Sequence, residues 1–154
     1  MKIVVVVHSK TGNTFEFGNI IAGKLTEKGH KVDVVRLETD VPVDTNPRSK
    51  QAFKFTNLPD ASKYDAVLAG GPVWGFSASP VIMQAIKEMK LDGKRFLPFV
   101  TQGLPVAALG AKQALAAMNS AAEAAGAQVL AGKNAHMKNR KAMEEAAAQI
   151  ANVF

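Results

Sequence analysis

Short apolar runs alternate along the chain with longer stretches in which apolar residues recur at helical spacing. Four consecutive valines, Val4–Val7, are typical of a strand that is buried on both faces. Phe17, Ile21 and Leu25 then share one face of a helix, and the same alternation continues to the end of the chain. The pattern predicts five strands: Ile3–Val7, Val32–Leu37, Ala66–Ala69, Phe96–Val100 and Gln128–Leu130.

Capping residues predict where the helices between these strands begin and end. Gly29 is suited to end the first helix, and Ser79–Pro80 supplies an N-cap and a first-turn proline for another. An alanine-rich helix is predicted over Val106–Ala125, ended by Gly126. The last predicted helix carries apolar residues on one face: Met143, Ala147, Ile150 and Phe154.

The alternation of strands and helices predicts an α/β fold, in which helices cover both faces of a parallel sheet. With 154 residues the chain has the length of one domain, so residues 1–154 are predicted to form a single three-layer, doubly wound unit. The polar segment Glu38–Lys63 is predicted to be a long loop with one or two helical turns. It contains three prolines: Pro42, Pro47 and Pro59. Pro98 lies inside a predicted strand, where it removes a ladder donor and favours a bulge.

Composition and charge narrow the possible chemistry. The chain has no cysteine, which excludes disulfides, thiolate metal sites and cysteine nucleophiles. The apolar run Ile3–Val7 is too short for a signal sequence or a membrane span, so a cytoplasmic protein without a membrane partner is expected. The net charge is +6, but Lys and Arg are scattered along the chain, which favours a solvated basic surface over nucleic-acid binding.

The loop that follows the first strand has the composition of a phosphate site. Small and hydroxyl-bearing residues, Ser9–Thr14, connect a buried strand to a helix N-terminus, whose free N–H groups and dipole attract anions. Gly12 lets the backbone approach a phosphate closely. The longer glycine patterns of P-loop NTPases and dinucleotide-binding folds are absent from the sequence.

The loops that follow the third and fourth strands complete a candidate ligand site. In open α/β sheets, ligands bind beyond the carboxyl ends of the strands, where the strand order reverses. The loop of residues 70–79 contains Trp74, the single tryptophan, and Phe76; such aromatic residues either pack into the core or offer a platform for a flat ring. Together with Thr101–Pro105 and the phosphate loop, they suit a flat heteroaromatic mononucleotide.

The phosphate loop and the third strand resemble those of flavodoxins. Ser9–Thr14 matches that family's pattern Ser/Thr-x-Thr-Gly-Asn-Thr, and Tyr64–Trp74 is similar to its third strand and flavin loop. The resemblance extends over the whole chain and is to the short-chain branch, because the fifth strand leads straight to the last helix. It implies a five-stranded parallel sheet of order 2-1-3-4-5 and FMN as the cofactor.

The resemblance also implies which residues bind FMN. The phosphate would lie among the N–H and hydroxyl groups of Ser9, Lys10, Thr11, Gly12, Asn13 and Thr14. The isoalloxazine ring would contact the residues at the end of the third strand, with Trp74 stacked on it: Pro72, Val73, Trp74, Gly75 and Phe76. The other side would be lined by Thr101, Gln102 and Gly103. Neither a catalytic residue nor a metal site is predicted.

Three features depart from the flavodoxin pattern. Residues 101–106 contain no aromatic residue to cover the outer flavin face, which is then open or covered by Leu104, the long loop or another subunit of a homo-oligomer. The chain is basic where flavodoxins are typically acidic, and positive charge near the ring would raise its reduction potential. His8 lies either near the phosphate or at the strand end as a hydrogen-bonded residue, and His136 either faces the ligand or starts a surface helix.

Three functions are compatible with these features. The first is an electron carrier that shuttles electrons through FMN between redox partner proteins with acidic docking surfaces. The second is an FMN-dependent NAD(P)H reductase acting on quinones, nitro compounds or flavins, for which the uncovered flavin face would be the substrate site. The third is a flavodoxin-like interaction module, against which the intact phosphate loop argues.

Overall fold

Parallel strands with helices between them make up most of the protein in a computed structural model, which describes residues 1–44, 46, 49–103 and 110–154. The strands are β1 (Lys2–Val7), β2 (Lys31–Arg36), β3 (Ala66–Trp74), β4 (Ser77–Ala78), β5 (Arg95–Gln102), β6 (Gln128–Val129) and β7 (Lys133–His136). The α-helices are α1 (Asn13–Glu27), α2 (Pro80–Glu88), α3 (Ala111–Ala124) and α4 (Arg140–Ala151). Within these described ranges, no helix is both long and apolar enough to cross a membrane.

The strand order places β1, β3 and β5 in the interior of the sheet. β1 pairs in parallel with β2 on one side and with β3 on the other, and β3 then pairs with β5. β6 and β7 both pair in parallel with β5 and together occupy the fifth position. The predicted order 2-1-3-4-5 is therefore confirmed with two differences: the fifth strand is divided, and the short β4 folds back antiparallel on the end of β3.

The division of the fifth strand coincides with Pro98 of β5. On one side of Pro98, the partner of Phe96 is Val129. On the other side, the partner of Phe99 is Lys133, so the neighbouring strand has one extra residue, as in a β-bulge. The even-numbered residues of β5 direct their backbone polar groups towards this neighbour, and proline has no N–H to offer there. β5 itself runs without a break through Pro98, so the irregularity lies in the partner strand and not at Pro98, where the bulge is predicted.

Helices cover both faces of the sheet, which explains why β1 is apolar without interruption. Val5 and Val7 lie in a core cluster with Phe17 of α1 and with residues of α4. Val4 and Val6 lie in a second cluster on the opposite face, with residues of α2 and α3. All four valines are fully buried. The valine run therefore marks a strand whose side chains alternate between two cores.

Two connecting segments, one between β2 and β3 and one before α3, contain residues that the structure does not describe. Between β2 and β3, the described residues form the predicted loop, with one isolated antiparallel bridge between Thr39 and Phe55 and a 3-10 helix at Ala61–Lys63. Pro47 lies outside the described residues. α3 begins only after Gly110, whose φ of 119° is incompatible with a helical residue. The predicted helix start at Val106 also lies outside the described residues.

Candidate cofactor site

A cavity of about 530 Å³, which we call the first cavity, lies at the carboxyl edge of the sheet, where β1, β3 and β5 end. The strand order reverses between β1 and β3, and this is the position at which open α/β sheets bind ligands. The described residues that line the cavity are Ser9, Lys10, Thr11, Asn13, Thr14, Pro72, Val73, Trp74, Thr101, Gly103 and Met137.

The loop between β1 and α1 forms one wall of the first cavity. Gly12 has a φ of 98° and donates its N–H to Ser9 Oγ at 3.1 Å, which closes a tight turn. Asn13 Nδ2 donates to Thr11 Oγ1 at 3.0 Å. The N–H groups of the first turn of α1 have no partner within the helix and lie at the positive end of its dipole. This wall is therefore suited to an anion such as a phosphate.

Positive charge adds to the anion preference of this loop. Arg36 donates to the Ser9 carbonyl, from Nη2 at 2.7 Å and from Nε at 3.2 Å, and so anchors the loop. Lys10 is exposed, borders the cavity and forms no ion pair with any described residue. No carboxylate is present among the described lining residues, so nothing there opposes a bound anion.

The opposite wall is formed by the end of β3 and its hairpin with β4. Trp74 pairs with Ser77, and both residues between them have positive φ, as a type I′ turn requires. Phe76, one of those two, has a φ of 65° and is 57% exposed, whereas Trp74 is partly buried against the cavity. Pro72 and Val73 complete an apolar wall against which a flat ring can pack.

A third wall comes from the end of β5 and from the residues after β7. The hydroxyl of Thr101 lies 2.7 Å from that of Thr14, which ties β5 to the start of α1 in a buried contact. Lys138 donates its N–H to His136 Nδ1 at 3.2 Å, so the ring proton lies on Nε2, which donates to the Gly103 carbonyl at 3.0 Å. His136 therefore ends β7 and positions Gly103, and the expectation that it starts a surface helix is wrong.

His8 follows β1 and is held beside Trp74. Its Nδ1 lies 2.7 Å from Ser79 Oγ, and its ring meets the Trp74 indole edge-on, with ring centroids 5.1 Å apart. Burial, with a further contribution from the positive charges of Arg36 and Lys10, lowers the pKa of His8 to about 4. The imidazole is therefore neutral at pH 7, and of the two expectations for His8, the hydrogen-bonded strand-end histidine is confirmed.

Most of the residues predicted to bind FMN line the first cavity, and four do not: Gly12, Gly75, Phe76 and Gln102. Gly12 shapes the phosphate loop, and Gln102 is buried, where its Oε1 accepts from Asn134 Nδ2 at 2.9 Å. Met137 lines the cavity but is not predicted from the sequence, because the pattern does not reveal β7. Leu104, one of the alternatives for covering the outer ring face, lies outside the described residues, as do Pro105 and Val106.

The chemistry of the first cavity fits FMN. One end offers N–H groups, hydroxyls and the Lys10 ammonium to a phosphate, and the other end offers apolar side chains and the Trp74 indole to a flat ring. Its volume lies in the range of about 300–1,000 Å³ that is usual for small-molecule sites.

Comparisons with known proteins bear on the family and the fold. The family model described as Flavodoxin matches residues 18–146, a range that begins after the phosphate loop. A curated relative from Archaeoglobus fulgidus, named NAD(P)H dehydrogenase (quinone), is 27% identical over 120 residues. That alignment covers 68% of this chain and 63% of the relative, so the chain spans less than two thirds of the length of the curated protein it matches.

Solved structures share the fold over nearly the whole chain. Oxidised Flavodoxin 1 from Bacillus cereus has a TM-score of 0.70 at 22% identity, covering 99% of this chain and 95% of its own. A flavoprotein from Lactobacillus acidophilus, solved in complex with FMN, has a TM-score of 0.62 at 18% identity, covering 86% of this chain and 92% of its own. At these identities the similarity establishes the fold.

Proposed function

Since this chain belongs to the flavodoxin family, we propose that it binds FMN in the first cavity and carries electrons between redox partner proteins. Bound FMN supplies the electron chemistry, because its ring can be reduced and reoxidised. The residues of the chain hold the cofactor, orient it and set its electrostatic surroundings. In this proposal residues 1–154 act as one FMN-binding domain.

The observation that carries the proposal is the meeting of two unlike walls in one cavity. The N-terminus of α1 can hold a phosphate through unpaired backbone N–H groups, without a metal ion. Trp74 lies across the same space and can cover one face of a flat ring. Gly103 and Met137, on the third wall, would lie towards the other end of such a ligand.

The charge of the chain indicates which partners a carrier of this kind would meet. With a net charge of +6, the protein attracts acidic partners over a long range and so speeds their encounter. Lys10 borders the cavity on the wall assigned to the phosphate, where its positive charge would help to hold that end of FMN. Acidic redox proteins are therefore the partners that we propose.

Two aromatic residues in the same hairpin provide a direct test of the cofactor site. We expect Trp74→Ala to weaken FMN binding by roughly tenfold or more, because a stacked ring contributes about 1–3 kcal/mol. Phe76→Ala is the matched control: Phe76 is exposed and does not line the first cavity, so FMN affinity should be unchanged. Quenching of FMN fluorescence in a titration measures both. Equal losses in the two variants, or none in either, would contradict the placement of the ring.

A second candidate function is favoured by the relative named NAD(P)H dehydrogenase (quinone). In this reading the FMN-loaded protein itself oxidises NADH or NADPH and reduces a quinone. Steady-state oxidation of each nicotinamide with duroquinone separates the two candidates, with free FMN at the same concentration as the control. Turnover no faster than with free FMN supports the carrier, and faster turnover supports the reductase.

A further inference from the structure

A second cavity, of about 270 Å³, lies behind Trp74 and is separate from the first. Three residues line both cavities: Ser9, Lys10 and Trp74. Apart from these shared residues, the first cavity is bounded by α1 and the ends of β5 and β7. The second is bounded by His8, the segment after β2 and the start of α2. The other residues that line the second cavity lie outside the proposed FMN site: His8, Leu37, Thr39, Pro42, Val43 and Val81.

The walls of the second cavity are mainly apolar. Leu37 and Val81 are buried, Val43 is partly buried and Pro42 is exposed at the rim. The indole of Trp74 adds a flat aromatic surface. Such walls favour a small planar ligand over a polar or charged one of the same size.

His8 supplies this cavity with a hydrogen-bond donor of defined orientation. Ser79 is fully buried; its Oγ accepts from the Ile82 N–H at 3.2 Å and lies 2.7 Å from His8 Nδ1. We assign Ser79 as the donor to Nδ1, because no other acceptor for its hydroxyl proton is found among the described residues. The proton of the neutral ring then lies on Nε2. This Nε2–H has no hydrogen-bond partner among the described residues and is not fully buried, so it is available to a ligand in the cavity.

We propose that the second cavity binds a small planar carbonyl compound of the quinone class, with its ring against Trp74 and a carbonyl oxygen accepting from His8 Nε2–H. No described lining residue carries a carboxylate that would repel it. The volume, below the usual range for small-molecule sites, admits one or two fused rings and excludes a dinucleotide.

The proposal goes beyond the FMN site, because most of the residues that line the second cavity do not line the first. Its test is a titration of the oxidised, FMN-loaded protein with duroquinone, followed by the indole N–H signal in the nitrogen–proton NMR spectrum. Trp74 is the single tryptophan, so this signal is unambiguous. We expect a saturable shift while the FMN absorption stays with the protein. No shift up to the solubility limit of duroquinone, or release of FMN as the shift develops, would overturn the proposal.

Two valines in one loop provide a matched pair of variants. Val43→Phe places a ring in the second cavity and should abolish the shift, whereas Val41→Phe, at an exposed position of the same loop that does not line the cavity, should leave it unchanged. If Val43→Phe still binds duroquinone as tightly as the unsubstituted protein, the quinone lies elsewhere and the proposal fails. The titration is repeated on FMN-free protein. This shows whether the duroquinone site itself is wrong or whether the protein does not bind FMN.

The role of His8 is tested with His8→Phe, which keeps a flat ring beside Trp74 and removes the donor. Duroquinone should bind roughly three- to tenfold more weakly, as expected for one lost hydrogen bond. FMN affinity serves as the control for a general disturbance of the structure, because His8 does not line the first cavity. Unchanged duroquinone affinity, or an equal loss of FMN affinity, would remove His8 from the proposed site.

Discussion

The imidazole of His8 is enclosed between Ser79 and Trp74, with Arg36 and Lys10 as the charges that act on it. Its pKa is about 4 in the folded protein and about 6.5 when unfolded, so between these values the unfolded chain binds more protons. The contribution of His8 to the free energy of unfolding is therefore fully present above pH 6.5 and is lost as the pH falls towards 4. The loss amounts to about 3 kcal/mol.

His8→Asn isolates this contribution, because asparagine keeps a hydrogen-bonding side chain that does not titrate. Urea unfolding of both proteins at pH 7 and pH 4 measures the free energy of unfolding. The unsubstituted protein should lose about 3 kcal/mol more than the variant over this interval. Parallel losses in the two proteins would mean that His8 titrates normally in the fold.

At the scale of single elements, two glycines of α1 lie in opposite environments. A Cβ on Gly18 would lie 2.7 Å from Val7 Cγ2, so the helix packs closely on β1 at this point. A Cβ on Gly23 would meet nothing within 4 Å, and Gly23 is exposed. The same substitution should therefore have opposite effects five residues apart on one helix.

We expect Gly23→Ala to raise the free energy of unfolding by about 0.5–1 kcal/mol, because alanine restricts the unfolded chain and favours the helix. Gly18→Ala should lower it by about 1–2 kcal/mol, since the cost of overpacking outweighs the same gain in helix propensity. Chemical unfolding of the two variants beside the unsubstituted protein measures both changes. A gain in stability from Gly18→Ala would show that α1 can move away from β1 at little cost.

Elements with a strong local signal were predictable from the sequence. The valine run of β1 identifies a strand between two cores, and the Ser9–Thr14 loop contributes to the first cavity, where its binding of a phosphate stays a prediction. The family match confirms the flavodoxin resemblance and with it FMN as the cofactor. Pro98 correctly indicates an irregular ladder, because a missing N–H is a property of the residue itself.

Features that depend on contacts between distant segments were not predictable. β7 contains Lys133, Asn134 and His136, which have little strand propensity, and its pairing with β5 decides its conformation. Met137 reaches the first cavity only because β7 exists, so it was missed as well. Phe76 is next but one to Trp74 in sequence, yet a type I′ turn separates their environments. Sequence spacing does not reveal the turn type when phenylalanine takes a position that usually holds glycine or asparagine.

For the molecule as a whole, the chain's net charge of +6, which the phosphate of bound FMN reduces but does not cancel, should control the rate at which it exchanges electrons. Raising the ionic strength from about 0.01 M to about 0.15 M shortens the screening length from about 30 Å to about 8 Å. Oxidation of the reduced, FMN-loaded protein by ferricyanide, a trianion, should then slow several-fold. Oxidation by the tris(phenanthroline)cobalt(III) cation should accelerate.

Stopped-flow measurement of flavin absorbance gives both rates. The two oxidants control for each other, because an effect of salt on the protein itself would change both rates in the same direction. Rates that do not respond to salt would mean that the positive charges lie too far from the flavin edge to steer an encounter, and the proposal of acidic partner proteins would then lose its support.

The two outer strands of the sheet also govern how separate molecules meet. An exposed sheet edge is a template on which another chain can add a strand, and charged residues or bulges along the edge prevent this. At one edge, β2 exposes Lys31, Asp33 and Arg36. At the other, β6 and β7 are short and are interrupted by the bulge opposite Pro98. The irregularity that divides the fifth strand therefore protects the protein against edge-to-edge aggregation.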